Sequence, residues 1–345
     1  MKIRTAVMAA VCAFGLYSCS GDGEADGGAA SGLPSVTVVT SVGGMGDMGY
    51  NDLILDGVMR FYDKGGVRMS LVQPTGMEQA GQALDAWVEE TRGGGRSLLV
   101  LADDGYGELL RGRDVALAPN QSILLFESGG DSLPAGVTTF SIDRYGASWL
   151  AGSMCREHPS ATVIAAMPGN STLRRAIDGF SDGYSAVGGA VPEVIYLSDG
   201  EEGFAMADSA YRLASRLERT VILPLAGGSN GGVYKASREV FALTMVIGMD
   251  ADCSLRCQNL PFSLVVRVDS LVETYLSDWL KGQMAAGHRS FGLAEGATGI
   301  VFTPGFYDNA DFLENYFAGD RDYWTKACAS FMDEAIRKEK EYESR

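Results

Sequence analysis

The stretch S-V-G-G-M-G-D-M-G-Y-N-D occupies residues 41–52 and follows directly on the β-rich run V-T-V-V-T at 36–40. It holds a G-x-G-x-x-G at Gly44, Gly46 and Gly49. A helical pattern follows, with Leu53, Ile54, Gly57, Val58 and Phe61 on one side. Strand, glycine loop and helix in that order open a doubly wound α/β sheet. A dinucleotide site on such a loop also needs an acid near the end of the second strand to hold a ribose. That strand ends Leu71-Val72-Gln73-Pro74, and Asp47 inside the loop would repel a pyrophosphate at the helix N-terminus. The loop therefore reads as the rim of another kind of site. Asp47 and Asn51 offer hydrogen bonds to a neutral polar ligand, and Tyr50 offers a flat face for stacking.

Outward from this loop the same alternation continues. Strands are expected at 67–72, 97–101, 123–126 and 137–142, with a helix at 78–91. A second series follows, with helices at 147–156, 173–184, 205–217 and 232–240 and strands at 161–166, 194–197, 221–224 and 245–248. Continuous apolar strands between amphipathic helices indicate parallel sheets covered on both faces. The last third adds a strand at 263–268, a helix at 270–283, a short strand at 299–302 and a helix at 310–336. That is too little for a third domain, and it fits a chain that returns to its first lobe and crosses again. The expected fold is α/β, with two doubly wound parallel-sheet lobes joined by a three-crossover hinge near Asp143, Ser263 and Thr303. The first lobe spans 36–143 plus 264–302, and the second spans 144–263 plus 303–345. Such lobes form a cleft at the carboxyl ends of their strands, where these sheets bind ligands.

The N-terminus reads as a targeting segment. Lys2 and Arg4 precede an apolar run at 6–16 that is too short to span a bilayer. Ser18-Cys19 resembles a bacterial lipobox, so residues 1–18 are expected to be removed and Cys19 acylated. More than one acyl chain on that cysteine suffices for stable anchoring. The small-residue stretch 19–35 then serves as a flexible tether. The expected location is the cell envelope, lipid-anchored and facing the periplasm or the cell surface. A formal charge of −16 opposes nucleic acid or an anionic membrane surface as a partner. Near the C-terminus, 337–341 mixes signs and reads as a solvated helix face.

Four cysteines remain beyond the anchor. Cys253 and Cys257 are candidates for a small-loop disulfide, and Cys155 with Cys328 for a second. Two histidines, His158 and His288, and no Cys-x-x-Cys give no metal site. No Gly-x-Ser-x-Gly is present. No catalytic residue, metal or cofactor is assigned, and a binding protein is favoured over an enzyme.

Asp47, Tyr50, Asn51 and Gly57 together are similar to the Asp-x-x-Phe-Asn motif and following helix of the basic membrane protein family. This family comprises nucleoside-binding lipoproteins of ATP-binding-cassette importers. The resemblance continues at 145–152 (YGASWLAG), 177–183 (IDGFSDG), 226–233 (AGGSNGGV) and 246–250 (VIGMD). It implies the type I periplasmic binding protein fold, a small-molecule ligand (a purine nucleoside first), hinge closure and an importer permease as partner. It also implies site roles. Asp250 would hold sugar hydroxyls beside the glycine loop at Gly231. Phe204 would face Tyr50 across a base. Apart from the resemblance, Asp103 and Asp104 end the first lobe's third strand, and one of them, Asp104 first, is a candidate to reach the base edge. One position departs: Val266 stands where the family has a ligand-binding lysine, and Arg267, one residue on, faces the other way along a strand. A different nucleoside or a smaller polar solute is the consequence weighed. A sensing or surface lipoprotein on the same fold is the alternative function.

Overall fold

The structure, a computed structural model, describes residues 32–42, 44–129, 133–156, 158–240, 244–304, 306 and 322–345. The leader, Cys19, nearly all of the tether and the expected helix start at 310 lie outside these residues.

Strand β1 (Ser35–Val39) sits between β2 (Arg68–Val72) and β3 (Ser97–Leu101). Strands β4 (Gln121–Phe126), β5 (Val137–Ile142) and β12 (Gly287–Phe291) extend this all-parallel sheet in the order β12-β5-β4-β3-β1-β2. Alternate residues explain why the central strands are apolar throughout. Val36, Val38, Leu98 and Val100 pack under helices α1 (Tyr50–Tyr62) and α8 (Val268–Lys281). Val39, Leu99 and Leu101 face the opposite way, under α2 (Met77–Thr91) and the short α3 (Tyr106–Arg111). Gly57 lets α1 touch α8, because a Cβ there would press into the Asp269 carbonyl.

The second lobe holds a parallel sheet β7-β6-β8-β9, built from β7 (Glu193–Tyr196), β6 (Ala161–Ala165), β8 (Val221–Leu225) and β9 (Met245–Val246). After one residue the run resumes as β10 (Gly248–Asp250), which pairs with β11 (Phe262–Val266). On β11, β13 (Thr298–Phe302) pairs antiparallel. One face is covered by α4 (Tyr145–Met154), α5 (Ser171–Ala186) and the C-terminal α9 (Tyr323–Glu343), the other by α6 (Ala207–Ala214) and α7 (Asn230–Glu239). Helices α4 and α5 run backbone to backbone, since a Cβ at Gly183 would overlap the Trp149 carbonyl.

Two expectations are corrected, the pairing of the return at 264–302 and the disulfides, and one further strand is added. The return at 264–302 joins the first lobe's packing through α8 and its sheet through β12, while β11 and β13 pair with β10. Strand β12 itself, G-H-R-S-F, carries no apolar alternation because it is a solvent-exposed edge. The four cysteines are free thiols, all buried. Cys253 Sγ lies 3.7 Å from the Tyr234 hydroxyl and 3.5 Å from the Met249 carbonyl, and burial pushes the Cys257 thiol up to about 11. They sit as small apolar side chains, not as a bridge.

The mixed-sign run at 337–341 is not wholly solvated either. α9 continues through it and turns Glu339 inward, where it is 3% exposed. One carboxylate oxygen accepts the Gly146 N–H at 3.0 Å and the other accepts the Leu293 N–H at 2.8 Å. Gly146 follows the first crossover and Leu293 lies on the connection from β12 to β13, ahead of the crossover expected at Thr303, so one side chain ties two connections together. Those connections also meet directly, the Asp143 N–H donating to the Phe291 carbonyl at 2.7 Å.

Candidate functional site: the interlobe cleft

The carboxyl ends of both sheets face each other across a narrow concavity, which encloses about 20 Å³. Asp47, Met48 and Gly49 line it from the first lobe, and Gly227, Asn230, Gly231, Tyr234, Met249, Asp250, Cys253 and Arg256 from the second.

On the first lobe the loop 44–49 turns through left-handed backbone at Gly44 and Gly46 (φ 75° and 92°). It thereby folds Asp47 onto the start of α1. The Asp47 carboxylate accepts from the N–H groups of Gly49 (2.9 Å), Asn51 (3.1 Å) and Asp52 (3.3 Å). Asp52 returns the arrangement by accepting from Gly46 and Met48, both at 2.7 Å. These bonds satisfy amides that a helix N-terminus leaves unpaired.

Tyr50, half-buried beside this loop, donates its hydroxyl to Glu127 at 2.8 Å. Glu127 follows β4 directly and also accepts from Arg144 (3.0 Å) and from the Ile142 N–H (3.0 Å). The Arg144 guanidinium bonds the Ile142 carbonyl at 2.9 Å and lies over the Tyr50 ring, 5.3 Å from its centroid. Both ionic side chains are buried, Arg144 at 11% and Glu127 at 8% exposed. Burial opposes the charge on Arg144, but Glu127, Tyr50 and Asp250 together outweigh it and raise its pKa. Burial, reinforced by Glu127, likewise drives the Tyr50 hydroxyl well above its ordinary value, so it remains a donor. Asp104, at the end of the neighbouring strand, is raised above the usual carboxylate range by crowding of protein around it, with the adjoining Asp103 adding to the shift, although its side chain still reaches solvent.

On the second lobe β8 ends in the glycine loop, and α7 starts at Asn230, whose side chain accepts the Ala226 N–H at 2.9 Å. Gly231 faces open space. Asp250 ends β10 in left-handed backbone (φ 66°), which costs a non-glycine residue energy and turns its side chain against Gly49. Among the described residues its carboxylate makes no hydrogen bond or ion pair. Burial lifts it to about 6; Arg144 opposes the shift, and Asp47 and Glu127 add to it. Met48 (φ 54°) shares the left-handed conformation, so two of the four described non-glycine residues in it line the cleft. Arg256 reaches across from the second lobe to the Met48 sulfur at 2.9 Å.

Asp47, Gly231 and Asp250 thus meet around one cavity; Tyr50 and Asp104 do not line it, and Tyr50 is bonded to Glu127 instead. Asn51 does not join: it lines a separate groove with Val38, Thr40, Ser41 and Leu71. Phe204, half-buried in a 3-10 turn (Glu201–Ala205), packs against Gly227 beside the cleft. Val266 is buried in the first lobe's core, and Arg267 is exposed. The sequence reading missed Glu127, Arg144, Tyr234 and Arg256. Glu127 and Arg144 stand within two residues of strand ends, and that position was their available signal.

Two parallel-sheet lobes with buried polar groups converging on the cleft between them define the class of two-lobed ligand-binding proteins. The match at residues 35–322 is to the family described as ABC transporter substrate-binding protein, PnrA-like, and the chain belongs to that family. It is therefore a substrate-binding protein of transport and not an enzyme. Basic membrane protein C of Borreliella burgdorferi is 24% identical over 298 residues, covering 79% of this chain and 82% of that protein. The fold is shared with an ABC transporter solute-binding protein from Aeropyrum pernix K1 (21% identity, 90% of each chain, TM-score 0.66). It is shared also with one from Burkholderia graminis C4D1M solved with D-arabinose (14% identity, 79% of this chain and 96% of that one, TM-score 0.56).

Proposed function

We propose that this protein is the lipid-anchored, extracytoplasmic receptor of an ATP-binding-cassette importer and captures a purine nucleoside in its interlobe cleft. The first lobe then comprises the strands of the six-stranded sheet, and closure about the crossovers brings the second lobe's contacts onto the ligand. The closed form docks on the permease, whose ATPase supplies the energy. The anchor on Cys19 keeps the receptor at the membrane. The observation that supports the reading is Asp250, a half-buried carboxylate at the rim of the glycine loop that makes no hydrogen bond or ion pair among the described residues. Such a group accepts from two vicinal hydroxyls by charge-assisted bonds, as a ribose presents them. The glycine loop beside it leaves space for the sugar.

The test uses the chain from residue 20 onward, purified without added ligand. Denaturation and mass spectrometry of the released small molecules, followed by calorimetric titration of a nucleoside panel, should reveal a bound and rebindable nucleoside. Asp250→Ala should weaken that binding roughly tenfold or more, about 1.4 kcal/mol, with the fold intact. A protein that carries and binds no nucleoside would overturn the ligand, and an unchanged affinity would remove Asp250 from the site.

A further inference from the structure

Arg256 lines the cleft from the second lobe, and its guanidinium donates to the Met48 sulfur of the first lobe at 2.9 Å. Beside this bond the two rims meet by packing. A Cβ at Gly49 would lie 3.4 Å from the Asp250 carboxylate, and one at Gly228 would lie 4.0 Å from the Asp47 Cβ. Each end of the Arg256–Met48 bond is held in place by its own lobe. Arg256 sits in the short loop after β10, between Cys253 and Cys257, which are 2% and 5% exposed and pack in the second lobe's core. The Arg256 N–H donates to the Cys253 carbonyl at 2.8 Å and the Cys253 N–H to the Ser263 hydroxyl at 3.0 Å. Arg238 on α7 donates to the Arg256 carbonyl at 2.5 Å. The buried thiols are thus the footings of the loop that carries the guanidinium. On the first lobe, Met48 donates its N–H to Asp52 at 2.7 Å and is itself 52% exposed.

The acids next to Met48 in the chain are already spent. Asp47 accepts from three backbone N–H groups, and Asp52 from those of Gly46 and Met48. The guanidinium, with five N–H donors, therefore meets a thioether, which is a weak acceptor. A carboxylate in that place would make a charge-assisted pair and oppose opening far more strongly. A sulfur partner biases the lobes without locking them. We infer that Arg256 and Met48 form a latch across the cleft that favours its closed arrangement, with Arg256 positioning the second-lobe rim against the first. The latch depends on the closure proposed above and not on the identity of the ligand. Removing the bond should shift the opening equilibrium about twofold to tenfold.

The experiment needs no ligand. Cys253 lines the cleft and is buried, so alkylation of its thiol reports opening of the cleft. Cys155, fully buried in the second lobe's core and outside the cleft lining, reports unfolding. The chain from residue 20 onward, dialysed free of small molecules, is treated with N-ethylmaleimide, and peptide mass spectrometry gives the ratio of the rates at Cys253 and Cys155. Met48→Leu keeps a similar bulk and removes the acceptor, so the ratio should rise about twofold to tenfold. Met48→Gln keeps the length and supplies an amide oxygen, a stronger acceptor, so the ratio should fall below that of the wild type. Arg256→Met removes the donor and leaves no charged partner behind. In that background neither Met48 substitution should move the ratio. A ratio unmoved by Met48→Leu, shifts of the same sign for Met48→Leu and Met48→Gln, or effects that persist in Arg256→Met would each overturn the latch. Nucleosides play no part in this readout, so a failed latch leaves nucleoside capture standing, and a chain that binds no nucleoside can still show the latch.

Discussion

Replacing Glu339 by Gln tests whether the C-terminal helix clamps the hinge. Glu339 is almost fully buried, and its two oxygens hold the N–H groups of Gly146 and Leu293 on separate connections. Burial raises its carboxyl from 4.5 to about 7; the two N–H donors act the other way, and the neighbouring Asp143 adds to the rise. In the unfolded chain the group returns to its ordinary range, so between these values the folded state binds the extra proton. Stability therefore falls as pH rises from about 4.5 to 7. Each tenfold in proton affinity is about 1.4 kcal/mol, which makes the total about 3 kcal/mol. Glutamine cannot titrate. It keeps one acceptor and turns an NH₂ group towards the other backbone N–H, at a cost of about 1–3 kcal/mol.

Urea unfolding of both proteins at pH 5, 6, 7 and 8 separates these terms. At pH 5 the variant should be less stable by about 1–3 kcal/mol. The deficit should close as pH rises, because only the wild type loses stability through Glu339, and by pH 8 the two should be equal or reversed. Asp104 and Asp250 also titrate near 6, but both proteins contain them, so they cancel in the difference. A deficit that stays constant from pH 5 to 8 would refute Glu339 as the titrating clamp.

Two further outcomes are expected. Asp250 must be ionised to accept ligand hydroxyls and sits at about 6 in the free protein, so nucleoside affinity should drop about tenfold from pH 7 to pH 5. Calorimetry across that range checks it, and an equally steep profile in Asp250→Asn would assign the titration elsewhere. If Cys19 carries the anchor, Cys19→Ala should move the chain from the membrane pellet to the soluble fraction and abolish palmitate labelling, whereas labelling that persists would disprove the lipobox reading.

The doubly wound pattern was legible because central strands such as Leu98–Leu101 are buried on both faces and carry no polar residue to blur the run. What escaped was set by position more than by composition. Strand β12 is polar because an edge is wet on one side. β11 reads equally well with either lobe, since its end at Val266 packs in the first lobe's core while its hydrogen bonds go to β10. Asp250 and Gly231 were legible through motifs that end a strand or open a helix. Glu127 and Arg144 belong to no motif, and only the meeting of two strand ends shows that they are partners. Asn51 points away because the first turn of α1 places it one residue beyond Tyr50, about 100° round the helix.

The glycine loop that resembles a cofactor cradle is one in physical terms, and the chain fills it itself. A helix N-terminus with glycines before it gathers backbone N–H groups that favour an anion, which in nucleotide-binding sheets is a phosphate. Here Asp47 puts a carboxylate against the N–H groups of Gly49, Asn51 and Asp52, and Asp52 occupies those of Gly46 and Met48. The donors that would read a phosphate are spent on fixing the rim, which leaves a neutral ligand as the one the loop admits. On the proposed reading, recognition then passes to the second lobe, where Asp250 makes no hydrogen bond or ion pair among the described residues and Gly231 faces open space. The same residues that argue against a dinucleotide are therefore consistent with the proposed ligand, a neutral one whose hydroxyls meet the Asp250 carboxylate.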